Sequence, residues 1–118
     1  MKGVLVVAHG SRIKETENTL IFLLDMVRKK VPDVCIEHAF MEFSDQTLKK
    51  AVQSLVGQDV TEIKVVPYFL FTGIHLREDI PNMIAECTAG YPNVKVVMGE
   101  ALGVDPRLAD ILVDRIKG

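Results

Sequence analysis

Val65-Val66-Pro67-Tyr68-Phe69-Leu70-Phe71-Thr72-Gly73-Ile74-His75-Leu76-Arg77-Glu78-Asp79-Ile80-Pro81 begins as an apolar run and ends as a polar one. The apolar part suits a strand covered on both faces, with Pro67 interrupting it. Gly73 offers a backbone pivot, and His75 follows at once. Asp79 and Pro81 look like the opening of a helix. The stretch therefore reads as a buried strand that surfaces, presents an imidazole and turns into a helix. In open α/β sheets this carboxyl edge of the strands is where ligands bind.

Working outward, the same alternation recurs along the chain. Val4 to Ala8 is a near-continuous aliphatic run that ends at His9-Gly10-Ser11-Arg12, a turn in which Gly10 is free to take positive φ. From about Glu15 to Lys30, Leu20, Ile21, Leu24 and Val27 fall at helical spacing, and Pro32 stops the pattern. Val34 to Met41 reads as a second strand, closing at Glu42-Phe43. Ser44 is expected to cap a second helix, with Asp45 in its first turn and Gly57 as its C′ residue. Ile63 to Leu70 is the third strand, and Ile80, Met83, Ile84 and Cys87 form the inner face of a third helix. Val94 to Met98 is a fourth strand. Asp105-Pro106 opens a last helix marked by Leu108, Ile111, Leu112 and Ile116. The order βαβαβαβα predicts a doubly wound α/β fold: a four-stranded parallel sheet in order 2-1-3-4, helices on both faces, and right-handed crossovers. No linker, repeat or low-complexity segment interrupts residues 1–118, so a single domain is expected.

Composition narrows the function classes. Of the 118 residues 48% are hydrophobic and the formal net charge is −2, which supports a core and gives no basic surface for nucleic acid. No apolar run approaches the roughly 20 residues that cross a bilayer, and the opening apolar run is too short for a signal peptide. Cys35 and Cys87 lack metal or redox spacing and sit among apolar neighbours, as free thiols of a cytoplasmic protein would.

Three strands deliver a ligand-type side chain near their carboxyl ends: His9, Glu42 and His75. In the order 2-1-3-4 these strands are neighbours about 4.8 Å apart, so His9 and His75 can converge on one cation with Glu42 beyond His9. A His/His/carboxylate set suits Fe²⁺, Co²⁺, Ni²⁺ or Zn²⁺. Singly, each residue has a plain alternative, since strand-end histidines are commonly turn residues and carboxylates are commonly solvated. Their shared edge is what argues for function. His38 lies within strand two and faces away from Cys35, which makes it structural rather than a ligand. Arg12 and Arg77 flank the two histidines and suit substrate carboxylates. Among the aromatic residues Phe71, beyond the strand end, is the candidate for contacting a flat ligand, while Met41, Met83 and Met98 read as core filler.

Val7-Ala8-His9-Gly10-Ser11-Arg12, Met41-Glu42-Phe43-Ser44, Val66-Pro67-Tyr68-Phe69-Leu70, Gly73-Ile74-His75 with Asp79-Ile80-Pro81, and Glu100-Ala101-Leu102-Gly103 together resemble the small class II tetrapyrrole chelatases. These are the CbiX-type sirohydrochlorin cobaltochelatases and their nickel-inserting CfbA-type relatives. The likeness runs through nearly the whole chain in the same order. It implies insertion of a divalent metal, Co²⁺ first with Ni²⁺ or Fe²⁺ as alternatives, into sirohydrochlorin. No organic cofactor is implied, because the metal is a substrate. The family's metal-site histidines fall on His9 and His75 and its acidic partner on Glu42. Gly10, Ser11, Arg12, Phe71 and Gly73 become the substrate-binding candidates. Short members work as homodimers, so a homodimer is expected. A non-catalytic tetrapyrrole or metal carrier using the same cleft is the alternative. An apolar strand ending in His-Gly is also similar to the histidine phosphatases, but their arginine before His-Gly is replaced here by Ala8.

Overall fold

A computed structural model of the chain describes residues 1–118 except Thr72 and the side chain of His75. Eight elements alternate: β1 (Lys2–Ala8), α1 (Lys14–Lys30), β2 (Cys35–Phe40), α2 (Leu48–Gly57), β3 (Glu62–Pro67), α3 (Ile74–Thr88), β4 (Lys95–Met98) and α4 (Pro106–Lys117). The strands form one parallel sheet, as the apolar runs predict, in the expected doubly wound order β2-β1-β3-β4. Register pairs Ala8 with Phe40 and Val7 with Pro67, so β1 and its two neighbours end close to one level.

Two cores follow from the alternation of side chains across the strands. Leu5, Val7, Ala39, Ile63 and Val65 face α2 and α3, meeting Leu48, Val52, Leu55, Ile80 and Ile84. Val6, Ala8, Ile36 and Phe40 face the other way and meet Leu20 and Leu24 of α1. Right-handed crossovers require this split: β1 to β2 runs in the opposite direction across the sheet from β2 to β3 and β3 to β4. Among the described residues no polar or charged side chain is fully buried.

Several helix boundaries differ from expectation. Thr47, not Ser44, caps α2, its hydroxyl accepting from the Lys50 amide at 3.2 Å. Ser44 instead donates to Glu17 at 2.8 Å and accepts from the Gln46 amide, which places Asp45 ahead of the helix. Gly57 is the last residue of α2, and the left-handed conformation falls on Asp59 at φ 63°. β3 stops at Pro67 rather than Leu70. Tyr68 makes one more bond, from its amide to the Val7 carbonyl at 2.7 Å, before the chain leaves the sheet.

The largest difference lies in the stretch quoted at the outset. α3 starts at Ile74, not at Asp79–Pro81, and Pro81 stands inside the helix. Proline there removes the bond to the Arg77 carbonyl at a cost of about 3 kcal/mol. Burying Ile80 and Ile84, each 2% exposed, returns about 1.5–3 kcal/mol per side chain. Gly73 is the N-cap, with extended φ −77° and ψ 178°, and a Cβ there would meet nothing within 4 Å. No pivot conformation is required of it.

Candidate functional site

Gly10 organises the carboxyl edge of β1. It takes φ +107°, and a Cβ on it would stand 2.0 Å from the Glu42 carbonyl oxygen. Only glycine allows the loops after β1 and β2 to approach this closely. They continue the ladder past the strand ends: the Met41 amide donates to the Ala8 carbonyl at 3.0 Å, and the Glu42 amide to the His9 carbonyl at 3.2 Å.

That backbone contact brings two predicted site residues together. His9 Nε2 lies 3.4 Å from Glu42 Oε1, with the side chains 64% and 48% exposed. A pair so open to solvent adds little to stability. Its position does more, because an imidazole nitrogen and a carboxylate share one small region that water or a ligand can enter. The His9 ring also lies 6.4 Å from that of Phe69, tilted by 59°.

Two clefts flank the His9–Arg12 loop. One, of about 360 Å³, is lined by Ala8, His9, Gly10, Thr16, Leu20 and Tyr68 among others. The second, of about 410 Å³, is more polar and includes Ser11, Arg12, Lys14, Phe43, Ser44 and Lys50. Ser11 and Arg12 line this second cleft, which Glu17 and Asp45 also border and which includes neither His9 nor Glu42. The Ser11 hydroxyl accepts from the Ile13 amide at 3.1 Å and braces the entry to α1.

Other expectations separate from this centre. His75 falls in the first turn of α3, seven residues beyond the Tyr68 junction with β1 rather than at a strand end. Its side chain lies outside the described residues, and among the described residues no group of three metal-ligating side chains assembles. Phe71 is 86% exposed beyond β3. Arg77 lines a different cleft, together with Pro81, Met98 and Glu100. Met41 and Met83 pack against the larger core as expected, whereas Met98 is 39% exposed at the edge strand.

His38 is structural, as its strand position predicts. Burial holds its imidazole below the ordinary value, its Nε2 is buried without a partner among the described residues, and its ring meets Phe40 edge-on at 5.6 Å. Both cysteines are free, and burial raises the Cys87 thiol.

Phe43 escapes a reading of the residues one by one. It takes φ 61°, uncommon for an aromatic residue, and the Arg12 guanidinium lies 4.9 Å from its ring centroid. Strain of this kind persists where surrounding structure imposes it, often at ligand sites. The sequence carried no local signal for it, since αL favours Gly, Asn or Asp.

The CbiX family model matches residues 3–118. The chain is 36% identical over 117 residues to a sirohydrochlorin cobaltochelatase of Sulfurisphaera tokodaii, covering 99% of this chain and 92% of that protein. It is 37% identical over 116 residues to a sirohydrochlorin ferrochelatase of Priestia megaterium, covering 98% of this chain but 44% of the longer protein. The fold superposes with a TM-score of 0.91 on the sirohydrochlorin chelatase SirB from Bacillus subtilis subspecies spizizenii, solved in complex with cobalt. That match is 30% identical and covers 98% of this chain and 50% of the other. The chain therefore spans nearly all of some relatives and about half of others.

Proposed function

The chain belongs to the CbiX family, and on that premise we propose that it is a sirohydrochlorin chelatase, residues 1–118 acting as one catalytic domain. The observation that carries this reading is the His9 Nε2–Glu42 Oε1 approach of 3.4 Å on adjacent strand ends. Metal insertion exchanges one divalent cation for two pyrrole N–H protons. The chemistry thus needs a neutral ligand that holds the cation yet leaves positions open, and a nearby base that takes protons as it enters.

An imidazole meets the first need and a carboxylate within reach, directly or through one water, meets the second. His9 and His75 deliver the metal; Glu42 accepts the protons. The exposure of His9 and Glu42 leaves room for a macrocycle to lie across the sheet edge. Arg12, with the amides of Gly10 and Ser11, receives substrate carboxylates, and Phe71 and Gly73 border the ring.

Cobalt is the first candidate. The relative that this chain spans almost completely is named a cobaltochelatase, and the ferrochelatase is more than twice as long as the matched segment. Fe²⁺ and Ni²⁺ suit the same ligands, because imidazole and carboxylate do not discriminate strongly among them. The proposed setting is cytoplasmic and the proposed working form a homodimer, for which the half-length match to longer relatives argues. No described helix is long and apolar enough to cross a membrane.

The test is multiple-turnover insertion of Co²⁺, Ni²⁺ and Fe²⁺ into sirohydrochlorin, followed by its visible spectrum. Turnover is expected to fall at least about 100-fold in Glu42→Gln, the range that loss of a proton-transfer group gives, and to fall in His9→Ala through loss of a metal ligand. Full activity in His9→Ala and His75→Ala would remove the assignment of the site. Binding without turnover in the wild type would mark a carrier instead.

A further inference from the structure

α4 is a well-formed amphipathic helix whose apolar face the described residues leave largely uncovered, Leu108 alone being half-buried. Asp105 caps it, accepting from the Arg107 amide at 2.8 Å, and Pro106 begins it. At helical spacing Leu108, Ile111, Leu112 and Ile116 share one face, while Arg107, Asp110, Asp114 and Lys117 share the other. Sequence of this kind specifies a helix laid on an apolar surface. None of its residues is buried, and Ile111, Leu112, Val113 and Ile116 are 51%, 63%, 45% and 77% exposed. A contiguous apolar face of this kind marks an interaction surface.

The same chain holds a matching vacancy in its helical cover. α1 covers the β2–β1 half of one sheet face, through Val6, Ala8, Ile36 and Phe40. On that face the β3–β4 half carries Lys64, Val66 and Val97, and Val66 and Val97 stay only half-buried. A groove of about 330 Å³ opens there, bounded by Val4, Lys64 and Val97. Helix and strip are both in this chain, yet each stays largely open among the described residues.

We propose that α4 of each copy docks on this open strip of a second copy, so that two chains exchange their last helices. The inference rests on the homodimer reading above and adds its surface. A second copy is the occupant favoured, because chains of the same fold about twice this length match it over one half only. A second copy supplies the missing half. The geometry is also self-complementary, as a two-fold interface demands: each chain gives one helix and receives one. Residues 99–105, which join β4 to α4, reach about 23 Å when extended, longer than the ~18 Å of the helix itself. Lys64, exposed within the strip, would lay its stem under the incoming helix and direct its ammonium toward Asp110 or Asp114.

Light scattering of the full chain across a concentration series tests this, with wild type beside Leu112→Asp/Ile116→Asp and Val97→Asp. The wild type should have the mass of two chains, and both variants the mass of one, with the dissociation constant raised at least about 100-fold and far-UV circular dichroism unchanged. Mixing a Val97→Cys chain with a Leu112→Cys chain should yield a disulfide-linked pair under oxidation that wild type, with Cys35 and Cys87 alone, does not form. A wild-type dimer that survives the aspartates, or that forms no such link, overturns the exchange and leaves the homodimer reading intact. A wild type of single-chain mass at every concentration overturns both. Loss of sheet structure in the aspartate variants would show that α4 serves its own chain, and also defeats the proposal.

Discussion

Gly10→Ala should be the most informative single change at the site, because it adds one methyl group where there is no room. The new Cβ would stand 2.0 Å from the Glu42 carbonyl oxygen and 3.0 Å from its carbonyl carbon, at φ +107°. Both neighbours are backbone, so no side chain can rotate away. The β2 loop must retreat by more than 1 Å to restore ordinary contact, taking the Glu42 amide off the His9 carbonyl. Backbone strain of roughly 1–3 kcal/mol and a lost hydrogen bond of about 1 kcal/mol give a destabilisation of roughly 2–4 kcal/mol. For a domain of this size that lowers Tm by roughly 10 °C. The retreat also carries the Glu42 carboxylate from His9, and a 1 Å misplacement of a reacting group costs about 100-fold in rate. Differential scanning calorimetry and sirohydrochlorin metal insertion measure the two effects. An alanine variant with unchanged Tm and unchanged rate would refute the argument that Gly10 sets the His9–Glu42 distance.

Other outcomes follow from the same structure. Gly73→Ala should shift stability by less than about 1 kcal/mol in a thermal melt, since its ordinary φ and open Cβ position favour alanine while its N-cap position favours glycine. Thr47→Ala should cost about 1 kcal/mol by removing the α2 cap, read by urea denaturation, while metal insertion stays at the wild-type rate. Phe43→Gly relieves left-handed strain of about 1–2 kcal/mol but forfeits the Arg12 contact, worth about 0.5–1 kcal/mol, and frees the unfolded chain by about 0.4–1 kcal/mol. Its stability by urea denaturation should therefore remain within about 1 kcal/mol of wild type, while KM for sirohydrochlorin rises. Burial keeps the folded His38 pKa below 6.5, outweighing the opposing fields of Glu17 and Glu37. The unfolded chain therefore binds the proton first on acidification. The contribution of a neutral His38 is present above pH 6.5 and is lost as pH falls through the folded value. Chemical denaturation at a series of pH values should show a shallower acid slope in His38→Phe.

The sheet was legible because its information is local and repeated. Each strand is a short aliphatic run and each helix shows 3.6-residue spacing, so the alternation and one handedness rule imply a parallel, doubly wound sheet, while the order β2-β1-β3-β4 follows the common precedent for such folds. Helix ends were less so. Ser44 and Thr47 are both good caps three residues apart, and the choice was made by Glu17, which engages the Ser44 hydroxyl from another element. Such a contact has no trace in the local sequence. Asp59 rather than Gly57 takes the left-handed turn, because the helix continues through Gly57 and its last amides bond back to Leu55 and Val56. Pro81 misled most. Proline suits the first turn of a helix, but the apolar contacts of Ile80 and Ile84 extend the helix on both sides of it and tolerate the missing bond.

The candidate site divides along the same line. His9 and Glu42 were legible as strand-end residues on neighbouring strands, and the sheet order alone brings them together. What brings them to 3.4 Å is the left-handed Gly10 lying against the Glu42 carbonyl, a contact between two loops. His75 belongs to a different part of the architecture, the first turn of α3, and so its approach to His9 depends on how that helix is set rather than on strand pairing. On the proposed reading the site is built half from a sheet edge and half from a helix start, so its two halves answer to different parts of the fold. On that reading, His9 and Glu42 stand on loops tied by backbone bonds, which suits the step in which metal enters and protons leave. On this reasoning substitutions at Gly10 should affect the insertion step, whereas changes in the entry to α3 should affect metal loading. Rapid-mix kinetics with metal in excess and in deficit distinguish these: a Gly10→Ala defect persists at saturating metal, and a defect from the α3 entry is relieved by it.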